Sequence, residues 1–143
     1  EININNKPFL KVKNFGWPIS SYGEHYAKNY SDKILKEAPL NKSHKRFGFE
    51  EPIKYFVPSI GISEIISITN NDDQFLVGAM GNEIVEQDLG LHLIKLDNER
   101  KKVIKHKYIP LNERVRDMII SKNNEVIVLF LETSNSIAVM NRI

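Results

Sequence analysis

From Ile53 onward, short segments rich in β-branched residues follow one another with only a few residues between them. The separators contain turn formers, such as Asp97-Asn98 and Asn123-Asn124. Short strands joined by tight turns are typical of an all-β sandwich, barrel or propeller. The predicted strands span residues 54–57, 65–69, 74–79, 91–96, 103–109, 114–120, 125–131 and 136–140.

The grouping of these strands favours a propeller. Four of them lie between residues 65 and 109 and three between 114 and 140, a spacing close to the roughly 40–50 residues of one blade. A ring of at least four blades needs about 160 residues, which is more than the 143 present. The sequence therefore predicts an incomplete all-β propeller of about two four-stranded blades. Its unpaired strand edges predict self-association.

Residues 1–52 have a different character. Ile2 and Ile4 alternate as in a short strand, and residues 19–52 form a long polar stretch with few aliphatic side chains. A connection of this length is usually an elaborated surface or functional loop. Ser31 as a cap and Pro39 as a stop predict one or two helical turns across residues 30–38. We therefore assign 1–52 to the end of a preceding blade and a long loop, 53–110 to one blade, and 111–143 to a last blade without its outer strand.

Charge and composition exclude several classes of function. The 20 basic and 18 acidic residues nearly balance, and Val103 and Ile104 interrupt the densest basic stretch, so no nucleic-acid partner is expected. The chain has no cysteine, which excludes disulfides, thiolate catalysis and cysteine-based zinc sites. No apolar run approaches the roughly 20 residues of a membrane helix, so no membrane partner is expected.

The segment K-N-F-G-W-P-I-S-S-Y-G-E-H-Y at residues 13–26 resembles the K-N-Y-G-W-P…S-Y-G…Y segment of soluble aldose dehydrogenases, the glucose/sorbosone dehydrogenase family. Four more motifs occur in that family's order. They are E-I-N-I at 1–4, E-P…Y-F-V-P-S-I at 51–60, F-L-V-G-A-M at 75–80 and R-V-R-D at 114–117. The five motifs follow one order, and the match as a whole covers nearly the whole chain.

The resemblance implies that the chain is the C-terminal part of a six-bladed, periplasmic or secreted enzyme. That family oxidises the anomeric carbon of an aldose to a lactone and passes a hydride to pyrroloquinoline quinone (PQQ), which calcium polarises. The implied partners are an aldose sugar and the remaining blades of the parent chain. The family's catalytic base is a histidine of an earlier blade. No histidine here lies in a matching motif, so the isolated chain is expected to be inactive.

Arg114 and Arg116 are the strongest candidates for a ligand site. Residues two apart on a strand share one face, so both guanidinium groups should point together while Asp117 points away. Two planar, permanently charged forks can bind carboxylates bidentately. The resemblance implies that they contact the carboxylates of the quinone and that Ser59 lines the same pocket. The alternative is a structural ion-pair network with Glu113 and neighbouring carboxylates.

Two other features bear on the cofactors. The resemblance maps the calcium ligands to the Glu1 carboxylate and the Phe15 backbone carbonyl, although one carboxylate is a poor oxygen cage for calcium. Gly81 and Asn82 replace the family's lysine, and the lost charge-assisted contact would be worth roughly 1.5–3 kcal/mol. A non-catalytic propeller that binds protein or glycan therefore stays an alternative.

The remaining aromatic and imidazole side chains have structural interpretations. Trp17 is predicted to be a buried packing anchor, with a sugar-stacking platform as the alternative. His92 and His106 lie in strands among lysines and are predicted to be surface residues. His25 and His44 belong to the long loop that would shape the sugar entrance from Tyr22 to His44. There we expect satisfied hydrogen bonds, with a sugar contact as the alternative.

Overall fold

A computed structural model describes residues 1–24, 31–37, 41–70, 72–123 and 125–141. The chain divides into two compact units, Glu1–Pro58 and Ser59–Ile143. The predictions for His25 and Asn124, and for the middle of the loop from Tyr22 to His44, lie outside the described residues. No helix in the described ranges is long and apolar enough to cross a bilayer.

The first unit is built from bridges, turns and two short helical segments. Helix α1 is Asp32–Glu37, within the predicted span of 30–38, and a 3₁₀ turn covers His44–Phe47. An antiparallel bridge joins Ile2 to Lys54, and a parallel bridge joins Ser20 to Asn41. The strand predicted at 54–57 is wrong, because only Lys54 pairs there. Pro52 and Pro58 flank this segment, and proline cannot donate to a ladder of strand hydrogen bonds.

The second unit contains the predicted run of short strands. Turn-forming residues separate segments of β-branched and aliphatic side chains, so each segment extends and pairs with its neighbour in sequence. The strands are β1 Ile62–Ser67, β2 Gln74–Ala79, β3 Gly90–Leu96, β4 Val103–Pro110, β5 Val115–Ile120, β6 Val126–Leu131 and β7 Ser136–Asn141.

These strands form two open antiparallel sheets. One has the order β1-β2-β3-β4 and the other β5-β6-β7, as the grouping of four and three predicted strands implied. The fold prediction is confirmed: the unit is all-β and has the architecture of an incomplete propeller. The core lies between the sheets, where the buried cluster comprises Leu76, Leu91, Val115, Met118, Ile127 and Leu129.

One end of the second unit gathers the segments around the predicted arginine pair. The pair Ile62↔Ala79 places the start of β1 beside the end of β2. The pair Gly90↔Pro110 likewise places the start of β3 beside the end of β4. The Ser63 hydroxyl donates to the Val115 carbonyl, which brings the start of β5 to the same end. We call this end the arginine rim. It consists of residues 59–61, 80–89, 111–114 and 132–135, together with Arg116.

Candidate functional site

The two predicted arginines meet at one carboxylate on the arginine rim. Arg114 Nη1 lies 3.0 Å from Glu132 Oε1, and Arg116 Nη1 lies 3.3 Å from Glu132 Oε2. The partner suggested from the sequence, Glu113, instead accepts the backbone N–H of Ser134 at 3.2 Å. The structure therefore brings the pair together, and their shared partner is Glu132, which the sequence did not indicate.

Backbone pairing puts Glu132 opposite Arg114. The Glu132 N–H donates to the Arg114 carbonyl at 2.9 Å, and the Arg114 N–H donates to the Thr133 hydroxyl at 3.3 Å. Opposite charges facing each other across an antiparallel pair attract without any change of backbone. The carboxylate is thus held beside the arginines by the β5–β6 ladder itself.

A β-bulge in β5 explains how Arg116 reaches the same carboxylate. Val115 pairs with Leu131 and Asp117 pairs with Phe130, so Arg116 is the extra residue of the bulge. The prediction that Asp117 points away from the arginines assumed unbroken alternation and is wrong. Asp117 is paired with Phe130, which lies two residues from Glu132 and therefore on the same sheet face.

The hydrogen bonding of this cluster is incomplete. Arg114 Nε and Glu132 Oε2 are buried and have no hydrogen-bond partner among the described residues. The Arg116 contact to Oε2 is an ion pair whose geometry does not make a hydrogen bond. A buried donor without an acceptor costs about 1–3 kcal/mol. Arg114 Nε–H is therefore a donor that an added acceptor would satisfy, and two guanidinium groups with one carboxylate leave a net positive charge.

A groove opens beside this cluster. Its volume is about 450 Å³, within the roughly 300–1,000 Å³ common for small-molecule sites. Its lining combines two charged side chains with apolar side chains from β6 and β7. The lining residues are Arg116, Phe130, Leu131, Glu132, Asn135, Ser136 and Ile137.

Ser59 lies on the rim without touching the arginines. Its hydroxyl accepts the Gly61 N–H at 3.4 Å, and no hydrogen bond between described residues joins it to either arginine. The link is indirect. The Met80 N–H donates to the Gly61 carbonyl at 2.9 Å, and Arg116 Nη1 lies 3.7 Å from Met80 Sδ. Ser59 is exposed, and these contacts place it at the same end of the unit as the arginine pair.

The loop that lacks the family's lysine is held by hydrogen bonds between its backbone and the carboxylate of Asp88. Asp88 is buried, and its side chain accepts the N–H groups of Asn82 at 3.0 Å and Glu83 at 2.8 Å. A Cβ at Gly81 would lie 1.7 Å from Asp88 Oδ2, so no side chain fits there without rearrangement. The rim has no lysine and carries five carboxylates, those of Glu83, Glu86, Asp88, Glu113 and Glu132.

The prediction that His92 is a surface residue is wrong. Its side chain is 1% exposed, whereas His106 is exposed as expected. Strand β3 lies between β2 and β4 and is buried along almost its whole length, so its alternation with polar residues does not mark a solvent-facing side. His92 Nδ1 lies 2.8 Å from His106 Nε2.

In the first unit, Glu1 contacts a polar network whose other members, Ser20 and His44, are buried. Glu1 Oε1 accepts the Tyr22 N–H at 2.9 Å and lies 3.1 Å from His44 Nε2, while His44 Nδ1 lies 2.8 Å from the Ser20 hydroxyl. This serine, histidine and glutamate are connected as in a hydrolase triad. Ser20 and His44 are buried, however, and the Gly16 backbone covers them so closely that a Cβ there would lie 2.2 Å from Ser20 Oγ. The network is structural, as expected for His44.

The predicted calcium ligands, Glu1 and the Phe15 carbonyl, lie in the same unit. Calcium takes roughly six to eight oxygen ligands, whereas Glu1 already uses Oε1 to accept protein donors. No three histidine, aspartate or glutamate side chains in the described ranges cluster as a metal site. Glu1 and the Phe15 carbonyl do not by themselves form a calcium cage.

The prediction that Trp17 is buried is wrong, because the side chain is 86% exposed. The Gly16 carbonyl accepts the N–H groups of Ile19 at 2.7 Å and Ser20 at 2.9 Å. This tight turn packs Ser20 inward and directs Trp17 outward. Gly16 has a φ of 88°, a left-handed conformation that favours glycine and makes the turn accessible.

An aromatic and carboxylate cluster in the same unit has no signature in the sequence. The Tyr22 hydroxyl donates to Glu51 Oε2 at 2.7 Å, and the rings of Tyr22 and Tyr55 stack with centroids 4.2 Å apart. The hydrogen bond to Glu51, with burial, raises the pKa of Tyr22 to about 12. The Lys45 N–H, which donates to Glu51 Oε1 at 2.8 Å, is the main cause of a lowered pKa of Glu51. Only the folded loop brings these residues together, so no motif marks them.

Comparison with known proteins agrees with the fold and with the motifs. Residues 1–139 match the family model for glucose/sorbosone dehydrogenase. Among solved structures, the chain is similar to the crystal structure of the soluble aldose sugar dehydrogenase from Escherichia coli in the apo-form, with a TM-score of 0.63 and 19% identity. The likeness covers 92% of this chain and 36% of that one, so this chain spans about a third of that enzyme's length. A comparison with curated proteins finds no significant match. Because the family model covers nearly every residue, the chain belongs to the glucose/sorbosone dehydrogenase family.

Proposed function

We propose that the chain is the C-terminal part of a PQQ-dependent oxidoreductase that oxidises the anomeric carbon of an aldose sugar to a lactone, in the periplasm or outside the cell. The observation that carries the proposal is the convergence of Arg114 and Arg116 on one carboxylate. Membership of the family supports the reaction class. The similar protein from Escherichia coli is an aldose sugar dehydrogenase, which supports the substrate class.

The arginine pair would hold the cofactor through its carboxylates. The Glu132 carboxylate already takes one contact from each guanidinium, at 3.0 and 3.3 Å, so this pair can share an acceptor of that shape. A charge-assisted hydrogen bond from either guanidinium to a ligand carboxylate would contribute about 1.5–3 kcal/mol. Ser59 would add an exposed hydroxyl on the same rim. When bound, the quinone would accept the hydride from the anomeric carbon of the sugar.

The two buried histidines of this chain, His44 and His92, are not suited to remove the sugar's hydroxyl proton. His44 is buried with both ring nitrogens in hydrogen-bond contact, and so is His92. A base needs to reach within hydrogen-bond distance of the proton that it takes. We therefore propose that the base belongs to another blade of the parent chain and that this chain alone has no turnover.

The proposed calcium site depends on that parent chain as well. Glu1 and the Phe15 carbonyl would be two of its ligands, and the other oxygens would come from outside the described residues. Two oxygens are too few for calcium, which takes about six to eight.

Packing surfaces of the three-stranded sheet support the proposal that further blades are partners. Its face opposite the core carries Ile119, Ile137 and Val139, which are 53%, 64% and 65% exposed. Val128 pairs with both Ile119 and Val139, so these side chains form one apolar patch. The next blade of a complete propeller would cover this patch. Without that blade, we expect the chain to self-associate.

The test is equilibrium binding of PQQ to the full-length protein, with and without calcium. Arg116→Gln should weaken binding at least about tenfold, the effect of one charge-assisted contact. Lys122→Gln is the matched control, because it removes an exposed positive charge from the turn between β5 and β6, at the far end of the sheet. Equal affinity of the two variants would contradict the proposed role of the arginine pair.

One observation favours a second function, a non-catalytic propeller that binds protein or glycan. The loop with Gly81 and Asn82 is closed on Asp88, so no ammonium group complements the arginines from this loop. This alternative predicts that the full-length protein binds no PQQ at millimolar concentration, even with calcium. Retention of the protein on immobilised glycans under the same conditions would then support it.

A further inference from the structure

We infer that Glu132 is an internal counter-ion that competes with an anionic ligand for Arg114 and Arg116 and limits the negative charge that the site accepts. The inference rests on the proposed function, since it concerns the same arginine pair. It makes Glu132 a residue that sets the affinity and charge preference of the site without itself contacting the reacting atoms.

The geometry of the carboxylate supports competition. Each of its oxygens faces a different guanidinium, at 3.0 and 3.3 Å, so the side chain occupies the position that a ligand carboxylate would take. Backbone hydrogen bonding between Glu132 and Arg114 at 2.9 Å keeps the residue at this position in the folded protein. The arginines therefore encounter a ligand with one anion already present.

The surroundings of Glu132 allow a ligand to displace its carboxylate from the arginines. Its side chain is 36% exposed, and its Oε2 lacks a hydrogen bond that would hold it in place. The neighbouring groove of about 450 Å³ includes Asn135 and Ser136, polar groups beside which a displaced carboxylate can remain solvated. The buried Arg114 Nε–H has no acceptor among the described residues and would gain one from a ligand.

The net charge of the site then decides which ligands bind more tightly when Glu132 is neutralised. With Glu132 in place, the three side chains have a net charge of +1, and without its charge the arginine pair presents +2. A ligand with several carboxylates loses more attraction from Glu132 than a ligand with one. Removing this single negative charge should therefore favour a tricarboxylate over a monocarboxylate.

The experiment compares Glu132→Gln with the unchanged full-length protein, using PQQ as a tricarboxylate probe and acetate as a monocarboxylate competitor. Glutamine keeps the length of the side chain and can still accept one hydrogen bond. We expect PQQ to bind about tenfold more tightly to Glu132→Gln, with a steeper loss of affinity as salt is added. Acetate should compete with PQQ less effectively in this variant than in the unchanged protein.

Glu113→Gln is the matched control, because Glu113 is a rim carboxylate bonded to the Ser134 N–H and not to the arginines. It should change PQQ affinity less than threefold. Glu132→Asp retains the charge on a shorter side chain, so it should bind PQQ less tightly than Glu132→Gln. It also provides a second folded variant if glutamine disturbs the turn.

The outcomes separate the two proposals. If Arg116→Gln weakens PQQ binding but Glu132→Gln does not strengthen it, the counter-ion role is wrong and the arginine site stands. If neither the unchanged protein nor any variant binds PQQ, the proposed function itself fails. Equal gains in Glu132→Gln and Glu113→Gln would show a general effect of rim charge and would overturn the inference.

Discussion

His92 Nδ1 lies 2.8 Å from His106 Nε2, and the direction of this hydrogen bond follows from a third group. The Gln87 carbonyl lies 2.8 Å from His92 Nε2. A carbonyl oxygen only accepts, so neutral His92 carries its proton on Nε2 and uses Nδ1 as an acceptor. His106 must then donate from Nε2. The pair therefore links β3, β4 and the loop that leads into β3.

The first prediction concerns this hydrogen-bonded pair. His92→Leu introduces an apolar side chain of similar size and deprives both the Gln87 carbonyl and the His106 Nε2–H of their contacts. We expect a loss of about 1–3 kcal/mol in the free energy of unfolding, measured by urea denaturation of the full-length protein. His106→Gln is the control, because its amide can still donate to His92, and it should cost less than about 0.5 kcal/mol. Equal stability of His92→Leu and the unchanged protein would contradict the assignment.

The second prediction is the titration of Tyr22. Its pKa is raised to about 12 by the hydrogen bond to Glu51 and by burial. The folded state thus holds the phenolic proton above the ordinary tyrosine pKa of 10.0, so the stabilisation is present below that pH and is lost as pH rises towards 12. Absorbance near 295 nm should show a late-titrating tyrosine that moves down in Glu51→Gln. Glu50→Gln should leave it in place, because Glu50 pairs with Lys11 and Lys13 instead.

The third prediction concerns acid stability of the same cluster. The pKa of Glu51 is lowered, mainly by the Lys45 N–H and then by the Tyr22 hydroxyl. A carboxyl with a lowered folded-state pKa contributes stability above the ordinary glutamate pKa of 4.5, and that contribution disappears as pH falls below it. The difference in unfolding midpoint between the unchanged protein and Glu51→Gln should therefore shrink from pH 6 to pH 3. A constant difference over this range would show that the charge of Glu51 is not responsible.

The fourth prediction concerns the family's lysine, which two single variants place at neighbouring positions. Asn82→Lys should be tolerated, because the Asn82 side chain is exposed and only its backbone N–H contacts Asp88. Gly81→Lys should destabilise the protein, because its Cβ would collide with the Asp88 carboxylate. If the chain binds PQQ as proposed, Asn82→Lys should raise its affinity by about tenfold. Thermal unfolding and PQQ binding, measured together, distinguish steric damage from a missing charge.

The strands were predictable because their signals are local. Strand β2 has the bounds expected from the sequence, 74–79, and β7 extends the expected 136–140 by one residue. Alternating β-branched residues and adjacent turn formers act within a few positions of each other. The segment at 54–57 shows the limit of that reasoning, because it has the composition of a strand but only Lys54 finds a partner.

The pair of arginines was also visible in the sequence, but their environment was not. Because β5 and β6 are antiparallel, Glu132 lies beside Arg116 and Arg114, which are 16 and 18 positions earlier in the chain. The bulge at Arg116 then changed the face of Asp117. Neither the partner strand's register nor a bulge has a signature in the R-V-R-D motif.

The sequence by itself determined the family, the all-β class and the division into four and three strands, since ordered motifs and turn residues are properties of the chain alone. Tertiary structure decided that His92 is buried, that Trp17 is exposed and that Glu132 neutralises part of the arginine pair. Burial and ion pairing depend on which distant segments cover a side chain. That information arises only when the strands have packed.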